Sequence, residues 1–255
     1  MKLHFQESGS GPPLILLHGL LGSHQNLLPL AKRLAAHFRV FAVDQRNHGA
    51  SPHADEMNYE VLAGDLREFL RQQNLPRAVV LGHSLGGKTA MQFALAHPDA
   101  VDKLAVVDMA PRAYPPAHEE LLDALLALEL ETLRRRDEID AALAPAVPDK
   151  TLRQFLLKNL GRDTAGAFHW KPNLRAIREN YPRLNAALPT DQKFAGPTLF
   201  VRGGKSDYVS DADFVAARRL FPRAELRTIA GAGHWVHADA PDEFARTVLE
   251  FLTAT

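Results

Sequence analysis

Residues able to do acyl chemistry stand at separated points in this 255-residue chain: a serine between glycines, a histidine after glycine, and acids closing two apolar runs. The serine lies in Gly82-His83-Ser84-Leu85-Gly86, between a short β-branched and apolar run, Ala78 to Leu81, and an amphipathic stretch, Leu85 to Ala96. A strand, tight turn and helix in this order lift a serine hydroxyl above a sheet and aim the first helical N–H groups at the group it attacks. Glycine is required two residues before and two after, because strand and helix cross closely there and side chains would collide. A hydroxyl so placed suits nucleophilic attack on a carbonyl carbon, and Ser84 is the expected nucleophile.

That attack needs a base. Gly231-Ala232-Gly233-His234-Trp235-Val236-His237 follows the last apolar run, and its glycines let the loop reach back over the sheet. His234 is the expected base; His237 lies deeper in the next segment and lacks the glycine approach. The attack also needs donors for the developing oxyanion. In His18-Gly19-Leu20-Leu21-Gly22-Ser23 a glycine-bearing loop can turn the Leu20 N–H toward the serine, so Leu20 and Leu85 are the expected pair of backbone donors. His18 reads as a brace for that loop.

The buried acid that would orient the imidazole is less directly marked. Asp207 follows the penultimate strand in Arg202-Gly203-Gly204-Lys205-Ser206-Asp207-Tyr208, but it stands one residue late: counting from Gly203, the usual position falls on Ser206. Asp108, closing the run Leu104 to Val107, is a second location and the favoured one, with Ser206 sharing its hydrogen-bond network and Asp207 as the alternative. His83, Trp235 and Trp170 are expected to bind substrate, Trp235 on the leaving-group side. No H-E-x-x-H spacing suggests a catalytic metal, and the chemistry needs no cofactor.

Elements that could position these residues alternate along the chain. Apolar runs at Leu14 to Leu17, Val40 to Asp44, Ala78 to Leu81 and Leu104 to Asp108 are separated by helical patterns at Asn26 to Phe38, Asn58 to Gln73 and Leu85 to Ala96. The pattern resumes with Thr198 to Val201, a helix near Ala212 to Phe221, Glu225 to Ile229, and a helix from Pro241 to Leu252. This is α/β order: a mostly parallel sheet flanked by helices. Between Arg112 and Asn185 only helix-like stretches punctuated by prolines occur, so residues 112–185 read as a helical cap inserted into a core of 1–111 and 186–255. Leu121 to Leu133 carries leucines over more of a helix circumference than one buried face needs, so a second face could line a pocket. Asp44-Gln45-Arg46-Asn47-His48-Gly49-Ala50-Ser51 reads as scaffolding beneath the oxyanion loop.

Formal charge balances at zero and the longest basic run, Arg134 to Arg136, lies among acidic neighbours, which argues against a nucleic-acid partner. Cysteine is absent, which excludes disulfides and a thiolate nucleophile. No apolar leader opens the sequence and no window reaches membrane-span length; the expectation is a cytoplasmic protein without membrane partners, its oligomeric state not encoded in these patterns.

Taken together, Asp44 to Ser51, Gly82 to Lys88, Val107 to Pro111 and Gly231 to His237 resemble the α/β-hydrolase superfamily, and within it the YbfF-type esterases and their abhydrolase-domain relatives. The Asn47-His48 pair, where many superfamily members have glycine, narrows the resemblance. It implies an α/β-hydrolase fold and a serine carboxylesterase or acyl thioesterase acting on short- to medium-chain acyl esters or thioesters. Two rivals keep the same loops: a C–C bond hydrolase or lyase, for which Arg153, Lys158, Arg175 or Arg178 of the cap would hold an anionic substrate, and a small-molecule receptor that turns over slowly.

Overall fold

The computed structural model describes residues 1–188 and 191–254. A seven-stranded sheet is formed by β1 (Phe5–Ser8), β2 (Pro13–Leu17), β3 (Arg39–Val43), β4 (Ala78–His83), β5 (Val101–Val107), β8 (Thr198–Gly203) and β9 (Ala224–Ile229), in the order β1-β3-β2-β4-β5-β8-β9. Only β1 runs antiparallel to its neighbour. The central parallel strands are buried on both faces, which is why they read as continuous apolar runs rather than alternating ones, while the edge strand β9 is largely unburied.

On one face α1 (His24–Leu34) and α10 (Pro241–Thr253) cover Leu14, Leu16, Val40, Leu81, Val107 and Val201. On the other, α2 (Tyr59–Gln72) and α3 (Leu85–Ala96) cover Ile15, Leu17, Phe41, Val43, Val80 and Val106. The second core continues without a break into leucines of residues 112–185, so the inserted segment is packed onto that face. Ser23 and Asn26 form a capping box that starts α1, and the Asn58 side chain accepts from the Val61 N–H to start α2.

The inserted segment carries α4 (Glu119–Leu126), α5 (Arg136–Leu143), α6 (Lys150–Leu157), a hairpin of β6 (Leu160–Arg162) and β7 (Phe168–Trp170), and α7 (Leu174–Asn185). Two expectations are corrected here. The leucine-rich stretch is not one helix: α4 ends at Leu126 and a 3-10 turn takes up Leu130–Thr132, which brings Leu122, Leu125 and Leu130 into the core without a continuous helical face. The segment also holds strands, the antiparallel β6–β7 pair, too short to leave a period-two pattern in the sequence. After β8 the chain forms α8 (Asp211–Ala217), and α9 (Val236–Asp239) precedes α10.

Candidate active site

The carboxyl ends of β2, β4, β5, β8 and β9 deliver every segment singled out for chemistry to one rim of the sheet, where open parallel sheets bind ligands. Ser84 follows β4 at φ 53° and ψ −117°, a conformation that L-residues rarely adopt. The close crossing that demands glycine is visible in atoms: a Cβ on Gly82 would sit 2.0 Å from the Gly86 carbonyl oxygen, and one on Gly86 would sit 2.4 Å from that of Leu17. Leu21, Asn47 and Asp108 also have positive φ, so four of the five such non-glycine residues among those described surround this rim. Strain of that kind persists only where the surroundings hold it, which makes the rim a preorganised region.

Asp108 is fully buried immediately after β5. Its Oδ2 accepts from Nδ1 of His234 at 2.7 Å and from the Ser206 hydroxyl, and its Oδ1 accepts from the Gly203 N–H at 3.0 Å. Of the two acids left open by the sequence, the structure thus brings Asp108 to the histidine. Asp207 is exposed, lines the larger cavity at Ser84 and makes no hydrogen bond to His234, whereas Ser206 joins the network. The reason lies in sheet order: β5 and β8 are neighbours, and a carboxylate leaving β5 can cross directly onto the loop after β8.

Donation of Nδ1–H to Asp108 leaves Nε2 of His234 as the lone-pair nitrogen. The Tyr208 ring stacks on this imidazole with centroids 3.8 Å apart and planes 19° apart. His83, expected at the substrate, is 4% exposed and donates from Nε2 to the His234 carbonyl oxygen at 2.9 Å. Burial, and then the neighbouring His234 and His237, hold its pKa well below the usual range, so it is a neutral brace for the histidine loop.

The loop of residues 18–23 is held from beneath by two further neutral histidines. His18 donates from Nδ1 to the Gly19 carbonyl and accepts at Nε2 from the Gln45 N–H. His48 donates from Nδ1 to the Arg46 carbonyl and accepts at Nε2 from the Leu21 N–H at 3.1 Å. Burial lowers both, His48 to about 3, which keeps one nitrogen of each free to accept. Gly49, at φ 57°, lies where a Cβ would strike the Asp44 carboxylate, and that carboxylate accepts from the Ala50 and His24 N–H groups. From the cap side, the Asn159 amide donates to the Leu21 carbonyl at 2.6 Å. The Leu20 and Leu85 N–H groups have no acceptor among the described residues.

Two cavities open on Ser84. The larger, about 230 Å³, is lined by Leu20, Leu85, Met109, Tyr114, Leu184 and Lys88 among others, and excludes His234. The smaller, about 70 Å³, includes His234, Trp235, Leu121, Leu152 and Phe155. Trp235 is therefore at the site. Trp170 lines neither cavity; its indole N–H donates to the Leu125 carbonyl and ties the β6–β7 hairpin to α4. The cap arginines are also spent elsewhere: Arg153 on Asp140, Arg175 on Glu179, and Arg178 on Asp123 and Glu119. Two cations do line the larger cavity, Arg112 and Lys88; Lys88 comes from the elbow helix, and its signal in the sequence was a charge inside a largely apolar helix one turn past the serine. Among the described residues, no helix is long and apolar enough to cross a membrane.

Residues 12–241 match the family model for the alpha/beta hydrolase fold. The chain is 39% identical over 249 residues to the mouse sn-1-specific diacylglycerol lipase ABHD11, a match covering 94% of this chain and 81% of that one. It is 35% identical over 248 residues to esterase YbfF of Escherichia coli, covering 97% and 95%. Among solved structures, a marine microorganism esterase superposes with a TM-score of 0.96 at 43% identity, covering 98% of this chain and 99% of that one.

Proposed function

The chain belongs to the α/β-hydrolase family and is an ester hydrolase of that class, and from this premise we propose that it works as a serine carboxylesterase or acyl thioesterase with Ser84, His234 and Asp108 as its triad. The observation that carries the reading is the 2.7 Å contact from His234 Nδ1 to the buried Asp108, on a rim where Ser84 and His234 share a cavity.

In the proposed cycle Nε2 of His234 takes the Ser84 proton as Oγ attacks the carbonyl carbon. Charge moves onto the carbonyl oxygen, where the Leu20 and Leu85 N–H groups stabilise it; one such donor is worth about 10²- to 10³-fold in rate. Imidazolium formed on His234 faces Asp108 on its edge and the Tyr208 ring on its face, both of which favour positive charge. Collapse expels the alkoxide or thiolate, which takes the proton from Nε2, and water activated by the same nitrogen then releases the acid.

The histidine must meet the leaving group, so the smaller cavity containing His234 and Trp235 is assigned to the alcohol or thiol, and the larger to the acyl chain. A cavity of about 230 Å³ with leucine and methionine walls suits short to medium chains. Arg153, Arg175 and Arg178 are each paired with an acid and Lys158 lines neither cavity, so the cap cations named for C–C bond cleavage do not support that reading.

The test is release of p-nitrophenol from acetate, butyrate, octanoate and palmitate esters by wild type and Ser84→Ala, followed by the matched acyl thioesters. Activity on the shorter esters that is lost in Ser84→Ala is the expected result. Equal activity in the two proteins would overturn the mechanism.

A further inference from the structure

The elbow helix α3 is buried along almost its whole length, yet one of those buried side chains is a lysine. Lys88 follows Ser84 by one turn, its N–H on the Ser84 carbonyl at 3.1 Å, and it is 1% exposed. For packing alone a methionine would serve, whereas a buried ammonium carries a desolvation cost. Arg112 lines the same cavity but lies 3.0 Å from Asp213 and stacks on Tyr114; Asp207 also lines it, yet Lys88 forms no salt bridge among the described residues. Burial, and then the repulsion of Arg112, bring its pKa down to about 7.

What Lys88 does have is the end of α7. Its Nζ donates to the Ala186 carbonyl at 2.7 Å, with the Asn185 carbonyl at 3.5 Å, and it sits 5.4 Å and 5.0 Å from the ring centroids of Tyr59 and Tyr114. An ammonium has three N–H groups, so donor capacity remains. The Tyr59 hydroxyl donates to the Leu184 carbonyl and the Tyr114 hydroxyl to the Tyr208 carbonyl, and neither carries a negative charge that would balance the ammonium. The buried Asn185 amide nitrogen, on the same cavity, lies beside the Tyr181 hydroxyl but makes no well-formed hydrogen bond among the described residues. That end of an otherwise largely apolar pocket therefore offers surplus donors and positive charge, and the chemical complement of that pair is an anionic acceptor.

We propose that Lys88 and Asn185 form a carboxylate subsite at the end of the acyl pocket, so that the preferred acyl group carries its own carboxylate while Ser84 attacks the ester at the other end. The inference rests on the serine-hydrolase reading for which end reacts, but the subsite can be tested by binding alone. Wild type, Lys88→Met and Asn185→Ala are compared on mono-p-nitrophenyl adipate and p-nitrophenyl hexanoate, esters of equal chain length that differ in the terminal carboxylate. The adipate-to-hexanoate ratio of kcat/KM is expected to favour adipate in wild type and to fall roughly 10- to 100-fold in Lys88→Met, the worth of a charge-assisted hydrogen bond in a dry site. A ratio unchanged in Lys88→Met, including a parallel fall on both esters, would mean that Lys88 only fastens α3 to α7, and would overturn the proposal.

Thermal stabilisation by free adipate, with hexanoate as control, gives a readout that needs neither turnover nor a folded Lys88 variant. Adipate is expected to raise the Tm of Ser84→Ala more than hexanoate does, and Asn185→Ala added to that background should reduce the difference; no difference between the two acids overturns the subsite. If wild type hydrolyses neither ester, it is the serine-hydrolase reading that has failed, and the adipate shift still decides the subsite.

Discussion

Replacing Asp108 with asparagine changes one oxygen for an NH2 group in a site whose hydrogen bonds leave the amide little choice. The Gly203 N–H, 3.0 Å from Oδ1, is a fixed donor and must keep an oxygen; turning NH2 toward it would set two donors against each other, at about 1–3 kcal/mol. The amide NH2 is thus directed to the position of Oδ2, where Ser206 and His234 now donate. The Ser206 hydroxyl can rotate and accept. His234 can accept at Nδ1 only by moving its proton to Nε2, and that nitrogen can then no longer take the Ser84 proton. With the wrong tautomer locked in, kcat on p-nitrophenyl butyrate should fall about 10⁴-fold, equivalent to about 5 kcal/mol of barrier, with little change in KM. Asp207→Asn, at an exposed position outside this network, should stay within about threefold of wild type. The assay is steady-state p-nitrophenol release by both variants, with circular dichroism to show that each is folded. A folded Asp108→Asn that retains a tenth of wild-type kcat, or an Asp207→Asn loss of comparable size, would refute the reasoning.

The elbow geometry predicts that Gly82→Ala, whose Cβ would meet the Gly86 carbonyl oxygen at 2.0 Å, destabilises the protein by roughly 3 kcal/mol or prevents folding. Gly64→Ala, in an open position on α2, should instead raise stability by roughly 0.5–1 kcal/mol; denaturant unfolding of the two variants checks both signs. Four histidines, His18, His48, His83 and His237, are held neutral by burial, His48 to about 3 and His237 to about 4. Each folded-state pKa lies below its unfolded value, so the unfolded chain binds more protons as pH falls below about 6.5. Stability should therefore be whole above about pH 7 and drop as pH falls through the window from about 6.5 to 4, by up to about 1.4 kcal/mol per pH unit for each such histidine. Urea titrations between pH 7 and 4.5 measure this slope, and a flat profile would show that these imidazoles are not buried neutral.

Much of the machinery was legible in the sequence because it depends on contacts made close along the chain. The elbow is such a case: Gly82 and Gly86 are needed because β4 and α3 collide across a turn of a few residues, and that steric demand is written where it acts. The strand that carries Ser84 was likewise visible, since burial on both faces makes it a short apolar run, whereas β9 before His234 is an edge strand with only its end buried.

What the sequence left open depends on groups that meet from far apart. Asp108 and His234 are 126 residues apart, and the choice between Asp108 and Asp207 is made by β5 lying beside β8, a fact of sheet order that neither strand records in its own residues. The role of Trp170 was misjudged for a related reason: an aromatic residue near a motif looks available for substrate until its hydrogen bonds are counted, and Trp170 is committed to the Leu125 carbonyl, whereas His83 both lines the smaller cavity and holds the His234 carbonyl. Lys88 is the converse. Its type and spacing were plain, but only packing of α7 and the cap against the elbow helix turns it into a buried cation on the wall of a pocket. Local sterics and burial periodicity determined the scaffold and the elbow that presents Ser84; the partners of each polar group were decided by tertiary packing, because hydrogen bonds between distant segments leave no period in a sequence.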